Sequence, residues 1–389
     1  MFRWNLRRLH SPSKRSVPGC VISYSSRPAA RTLVSSHRDP PRPSLGYRPS
    51  LWYYPVHPGD VFHSRYQVVS KLGYGTSSTV WLCRDSKENC YSTLKVCVTG
   101  ESPDRERTLS EHLKQSSDVY RKRLVRLVLD SFEIVGPHGK HLCLFSKDLV
   151  QRSTQLTLIT LTLLHENSVV HTDISPNNVL QGIEDTSILS DMEQDEATRP
   201  IARKVLADRT IYHSRPMPLC TGSPVLSDLG EARSGSSKYN GDIMPGIYRA
   251  PEVILEMEWD QKVDIWSVGN MVWDLVQGHH LFFAKQNGYL NDEHHLAEMV
   301  SLMGPPSLEF LKRSKKCERF WDRDGYRKGC TCIPQQSFED RELQFSGQHR
   351  TLFLDFVRRI FRWLPEERPT AEELVYDAFL MQLIVAAKG

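Results

Sequence analysis

The apolar pattern of this 389-residue chain changes character near residue 150. Upstream, "YQVVSKL" (66–72), "STVWLCR" (78–84) and "YSTLKVCV" (91–98) are short β-branched and aromatic runs separated by turn residues. Such runs predict an antiparallel sheet. "SPDRERTLSEHLKQ" follows, opening with Ser102 and Pro103, an N-cap and a proline in the first helical turn. Two more strand-like runs, about 127–135 and 141–145, flank the turn "GPHGK". Beyond residue 150 helical spacing recurs around 155–166, 262–277, 292–303, 351–363 and 370–384. Strands first and helices after predict an α+β fold of two segregated lobes.

The length suits one large two-lobed domain with a tail. A hydrophobic content of 39% and a charged content of 25% are those of a globular domain, and no run of about 18 apolar residues occurs. Nine scattered cysteines without a C-x-x-C pair argue against a disulfide framework or a zinc ribbon and for a reducing compartment. The doublets His279–His280 and His294–His295 lack metal-ligand spacing.

The net charge of +4 is unevenly spread. Residues 1–38 hold seven Arg, one Lys and no acid, so the other 351 residues sum to −4. A nucleic-acid-binding domain carries its basic residues on the folded body; here they lie in the tail. Residues 1–50 are rich in Arg, Ser and Pro, and Phe2, Leu6 and Leu9 share one helical face. That composition fits an organelle transit peptide or a disordered basic arm.

The chemistry-bearing residues come in series. "LGYGTSSTV" (72–80) sits between two strand candidates, where Gly73 and Gly75 would let a tight turn present backbone N–H groups to phosphate oxygens. Lys95 alternates with apolar neighbours, so it is expected to be paired, with Glu106 on the next helix or with Glu111. "HTDISPNN" (171–178) carries H-x-D-x-x-x-x-N, and Asp228 precedes Leu229 and Gly230 where a carboxylate can reach a Mg²⁺ bridging phosphates. "YRAPEVIL" (248–255) and "DIWSVG" (264–269) complete the set.

Order and spacing together resemble the protein kinase pattern from about residue 60 to the C-terminus. "KLGYGTSSTVWL", with Ser78 at the third glycine position, and HTD in place of HRD are similar to the SR-protein kinases, in a fungal branch of that family. The resemblance implies a kinase domain over 60–384, with an N-lobe of 60–146, a C-lobe of 147–384 and an insert at 181–224. It implies a serine/threonine kinase using ATP and Mg²⁺ on protein substrates, Arg/Ser-rich ones among them. A monomer in cytoplasm or nucleus is expected, without direct binding of nucleic acid or membrane. Carried over residue by residue, Asp173 would accept the substrate hydroxyl's proton, and Asn178 and Asp228 would hold metal. Lys95, set by Glu106, would meet the α/β-phosphates; Leu72, Gly73, Gly75 and Val80 would border the nucleotide. Glu252 with Arg368, and Asp264, would brace the lower lobe.

Three departures bear on activity. Thr172 stands where many kinases have the arginine that grips a phosphorylated activation loop, so Ser234, Ser236 and Ser237 would lack that partner. Ser175 replaces the loop lysine that stabilises the transferring phosphate, a loss worth about 10²–10³ in kcat. Only 26 residues separate Leu144 from His171, which leaves about 14 for the helix before the loop and little for another. The acidic stretch 184–196 is expected to be a solvated loop or an attractor of Arg-rich substrate. An active kinase and a pseudokinase therefore both remain open. A small-molecule phosphotransferase fits less well, because such enzymes lack the A-P-E and D-I-W-S-V-G elements.

Overall fold

The computed structural model describes residues 21–22, 54–74, 78–88, 90–97, 104–122, 124–127, 147–206, 210–215 and 222–386. The strands expected at about 127–135 and 141–145 fall almost entirely outside these, as does Gly75. The transit-peptide expectation lies outside as well, except for the two-residue strand β1 (Val21–Ile22).

Strands β2 (Val61–Phe62), β3 (Tyr66–Tyr74), β4 (Ser78–Asp85) and β5 (Cys90–Cys97) form an antiparallel sheet in that order. β4 is buried at nearly every position, because both faces of the sheet are covered. On one face Trp81 and Cys83 pack with Val56, Phe62, Tyr66, Val68, Val96 and Tyr212. On the other, Val69, Leu72 and Leu82 meet Leu189 and Met192. Burial on two faces turns the alternating strand pattern into a nearly continuous apolar one.

Helix α1 (Asp104–Lys114) and the short α2 (Val119–Lys122) follow the sheet. Helix α3 spans Lys147–Glu166, 20 residues rather than the 14 or so expected. Polar residues conceal its extent in the sequence. Gln151 and Gln155 donate to the carbonyls of Phe379 (2.8 Å) and Val375 (3.1 Å). The hydroxyls of Thr157 and Thr160 bond back to the carbonyls of Ser153 and Leu156 at 2.8 Å. The shortening of the chain therefore lies upstream of Lys147.

After α3 come β6 (Val169–Val170) and β7 (Val179–Gly182). The acidic stretch expected as a solvated loop instead lies largely in helix α4 (Ser187–Thr198), and the insert continues into the hairpin β8 (Arg203–Val205) and β9 (Thr210–Tyr212). Leu189 and Met192 of α4 are buried against the sheet. Arg215 ties Glu196 at 2.9 Å through Nε, and Lys71 donates to the Tyr212 carbonyl at 3.2 Å. The 181–224 segment thus links the lower lobe to the sheet. Its apolar anchors stand three residues apart, one turn of helix, amid acidic residues that hide them.

The chain returns through β10 (Pro224–Leu226), which pairs with β7, and β11 (Arg233–Ser234), which pairs with β6. β1 adds to the other edge of β7. Eight helices complete the lower lobe: α5 (Pro251–Ile254), α6 (Lys262–Gln277), α7 (Asp292–Met303), α8 (Leu308–Leu311), α9 (Phe338–Arg341), α10 (Gly347–Ile360), α11 (Ala371–Val375) and α12 (Ala378–Ala386). α6 is buried along most of its circumference, as befits a central helix. A Cβ on its Gly269 would come within 2.6 Å of Ile360 and 2.9 Å of Phe361, so glycine permits α6 and α10 to approach. The expected helix at 370–384 breaks at Asp377, whose carboxylate accepts from the Phe379 N–H at 2.9 Å.

Candidate active site

The pairing of β7 with β10 sets Leu180 opposite Val225 and brings the ends of both strands together, although 42 residues separate Gln181 from Pro224 in sequence. The Ser227 N–H then donates to the Asn178 carbonyl at 2.8 Å, and its hydroxyl does so at 3.1 Å. Asn178 and the Ser227–Asp228 pair are thereby fixed side by side.

The loop 171–178 is held from beneath. The Asp264 carboxylate of α6, fully buried, accepts from the N–H groups of His171 (2.9 Å) and Thr172 (2.8 Å). His165, at the end of α3, reaches the same carboxylate at 2.9 Å. Thr172 is left-handed at φ 66, a conformation these two bonds stabilise. His171 Nε2 donates to the Ser227 carbonyl at 3.1 Å while its Nδ1 accepts from the Asp173 N–H at 3.3 Å. This network orients Asp173. Its carboxylate accepts from Asn178 Nδ2 at 2.8 Å, and the same nitrogen donates to the Asp173 carbonyl at 2.7 Å. Burial pushes the Asp173 carboxyl up to about 6, reinforced by the Asp228 charge and opposed by His171.

On the sheet side Lys95 is opposite Val80 in the β4–β5 register. Its ammonium donates to Glu106 at 3.0 Å and to Asp228 at 2.6 Å. Glu106 is the partner, and Glu111 instead pairs with Lys114 at 2.6 Å. Burial acts to lower the Lys95 pKa, but the two carboxylates outweigh it and hold it above the ordinary lysine value. Asp228 feels the reverse balance: burial acts upward, and Lys95 holds it down at about 2. Asp228 is left-handed at φ 70 and accepts from the Gly230 N–H at 3.4 Å. Leu72 is buried, while Gly73 and Val80 are partly open, at the end of the sheet that leads into the glycine turn.

The donor set suits a hard divalent cation. Both hydrogens of the Asn178 amide nitrogen point at Asp173, which leaves the amide oxygen as an acceptor. Asp228 Oδ1 is taken by Lys95, and its second oxygen remains for an ion. An amide and a carboxylate oxygen match Mg²⁺, which completes its shell with water and phosphate oxygens. Among the described residues no set of three His, Cys, Asp or Glu converges on a metal position.

Several contributors carry no strong sequence signal. Thr172 Oγ1 donates to the Glu231 carbonyl at 2.9 Å, tying the loop to the turn after Asp228. Arg105 and Arg233 approach the Glu231 carboxylate at 3.7 and 3.6 Å, so two arginines do stand beside this turn despite Thr172. Arg126, whose N–H donates to the Leu226 carbonyl at 2.7 Å, adds its charge to those depressing Asp228. Ser175 is buried, and its carbonyl accepts from the Asn178 N–H at 3.0 Å. Farther out, the expected pairing of Arg368 with Glu252 is bidentate at 2.6 and 2.7 Å, and the guanidinium lies 5.0 Å from the Trp266 ring centre.

The family model for a protein kinase domain matches residues 66–380. A serine/threonine protein kinase of Aspergillus fumigatus is 41% identical over 357 residues, covering 85% of this chain and 88% of the relative. The serine/threonine-protein kinase SRPK of Physarum polycephalum is 31% identical over 383 residues, covering 84% and 88%. The human dual specificity protein kinase CLK2 is 25% identical over 357 residues, covering 84% and 66%. A kinase domain of known crystal structure superposes with a TM-score of 0.64 at 22% identity, covering 85% of this chain and all of that one, a likeness of fold. This chain belongs to the protein kinase family, among relatives of the SRPK and CLK type.

Proposed function

We propose that this chain transfers the γ-phosphate of ATP to serine or threonine hydroxyls of proteins, with serines beside arginine preferred. The observation that carries the reading is Lys95 held between Glu106 and Asp228 while Asp173 and Asn178 stand at the adjoining strand end. Lys95 presents a fixed positive charge to nucleotide phosphates, and Glu106 keeps it there when Asp228 turns to other partners. Asn178 and Asp228 would hold Mg²⁺, which when bound screens the phosphate charge. Asp173 is aimed by Asn178 and by the His171–Ser227 bond, and its carboxylate accepts the acceptor hydroxyl's proton. The Asp264 bonds keep the loop from shifting, so little reorganisation is needed as charge develops.

The preference for Arg-Ser sequences draws on the SRPK relative and on the net −4 of residues 39–389. Acidic residues of α4 contribute less to attracting such a substrate than their number suggests. Glu193 is engaged by Arg84 at 3.0 Å and Glu196 by Arg215.

ATP with Mg²⁺ should raise the melting temperature of the full chain, and Lys95→Ala should remove the shift. No shift at millimolar ATP would end this reading. An Arg-Ser repeat peptide should be phosphorylated faster than an acidic one, with the difference shrinking as salt screens the attraction. Equal rates on both peptides would remove the substrate preference and leave the kinase reading in place.

One observation favours a second reading, a nucleotide-binding pseudokinase. Ser175 is buried and uncharged at the position where a lysine is expected.

A further inference from the structure

The apolar anchors of α4 lie on the same face of the sheet as Lys95. In the β4–β5 ladder Val80 faces Lys95, Leu82 faces Thr93 and Arg84 faces Tyr91. Directly opposed residues, and every second residue along a strand, project to one side. That side therefore carries Lys95, Val80, Leu82 and Arg84 in order outward. Helix α4 covers its outer half. Leu189 and Met192 pack against Val69, Leu72 and Leu82, with Val80 at the margin of the cluster. Glu193 fastens the helix there through Arg84 and the Tyr91 hydroxyl.

Phosphates held at Lys95 and Asp228 would let the base and ribose run beneath the sheet along this outward row. The strand ends at Tyr74 and Ser78 lie on the inner side of the Val80–Lys95 rung, and the Leu82–Thr93 rung lies on the outer side. A base attached to those phosphates would fall under Val80 and Leu72, which adjoin α4. We propose that α4 forms the outer wall of the nucleobase site, with Leu189 and Met192 determining which base substituents the site admits. Both residues suit such a wall, because a flat aromatic base gains from apolar packing and a thioether makes favourable contacts with aromatic edges. Met192, at the helix position one turn beyond Leu189, is flexible enough to adapt to the base. The anchors Arg84 and Tyr91 fix the distance between wall and sheet, and so the width of the site.

This inference rests on the nucleotide reading above and is tested separately from it. The full chain is irradiated with 2-azido-ATP and Mg²⁺, and the labelled peptides are mapped by mass spectrometry. Label within 187–198 that excess ATP suppresses is the expected result. In parallel, Met192→Ala should raise binding of N6-benzyl-ATP relative to ATP by about tenfold or more, as removing wall atoms admits a larger substituent. Met192→Leu, which keeps the volume, should leave the ratio near that of the wild type and controls for damage to the fold. ATP-suppressible label confined to other segments, with an unchanged ratio in Met192→Ala, would overturn the proposal. Absence of any ATP-suppressible label would overturn the nucleotide reading itself, and this inference with it.

Discussion

Ser175 is the residue on which the rate of the proposed transfer turns. Asn178, Asp173 and Asp228 keep the geometry of a phosphotransfer site, so the loss at Ser175 is one of charge. A hydroxyl donates one hydrogen bond but brings no cation to a partly dry site, where charge counts most. Ser175→Lys should therefore raise kcat about tenfold or more, with little change in KM for ATP. An unchanged kcat would mean that another cation fills the role; Arg126, which already acts on Asp228, is the candidate. His295 makes a different prediction. It is fully buried, neither ring nitrogen has a hydrogen-bond partner, and burial lowers its pKa to about 3. The folded state thus refuses a proton that the unfolded chain accepts below about pH 6.5. Stability should be fully present above that pH and fall as pH drops toward 3, by up to about 1.4 kcal/mol per pH unit. His295→Phe should flatten this part of the stability–pH curve, measured by denaturant unfolding. An unchanged slope would assign it to other groups.

At the scale of elements, helices with a clean period are legible in the sequence and those with a second duty are not. α6 and α7 match the expected 262–277 and 292–303, because apolar spacing runs the length of each and a glycine, Gly278 or Gly304, ends it. α3 reads short because its N-terminal half carries glutamines that bond to α12 and α11, while a threonine bonds to the helix's own backbone. α4 escapes the sequence because a few apolar residues among acids look like a solvated segment until the sheet that receives Leu189 and Met192 is known. Of the site, Lys95, Asp173, Asn178 and Asp228 are legible from spacing, and Glu106 rather than Glu111 is the partner that spacing favours. Thr172–Glu231 and Arg126 are not, since a backbone-directed hydroxyl and a neighbouring charge leave no pattern in sequence. The contact of α6 with α10 makes its own prediction. Gly269→Val would force branched carbons against Ile360 and Phe361, and should cost about 1–3 kcal/mol or more in thermal or chemical unfolding. A neutral substitution would show that the two helices can part freely.

At the scale of the molecule, a large helical core and two smaller cores on the faces of the sheet are joined by the 181–224 segment and by Lys95. The helical core closes on the pair Arg368–Glu252, both almost wholly buried. Arg368→Ala would strand a buried carboxylate, and should cost about 3–5 kcal/mol. Transfer rather than stability tests the proposed function: a site that lacks the loop lysine is expected to move phosphate slowly, through Asp173. Single-turnover transfer from ATP to an Arg-Ser repeat peptide, by the full chain and by Asp173→Asn, measures this directly. Measurable transfer by the wild-type chain and its near-complete loss in Asp173→Asn, with ATP binding retained in both, is the expected result. Transfer by the wild type no greater than that of Asp173→Asn, while ATP still raises the melting temperature of both, would contradict it.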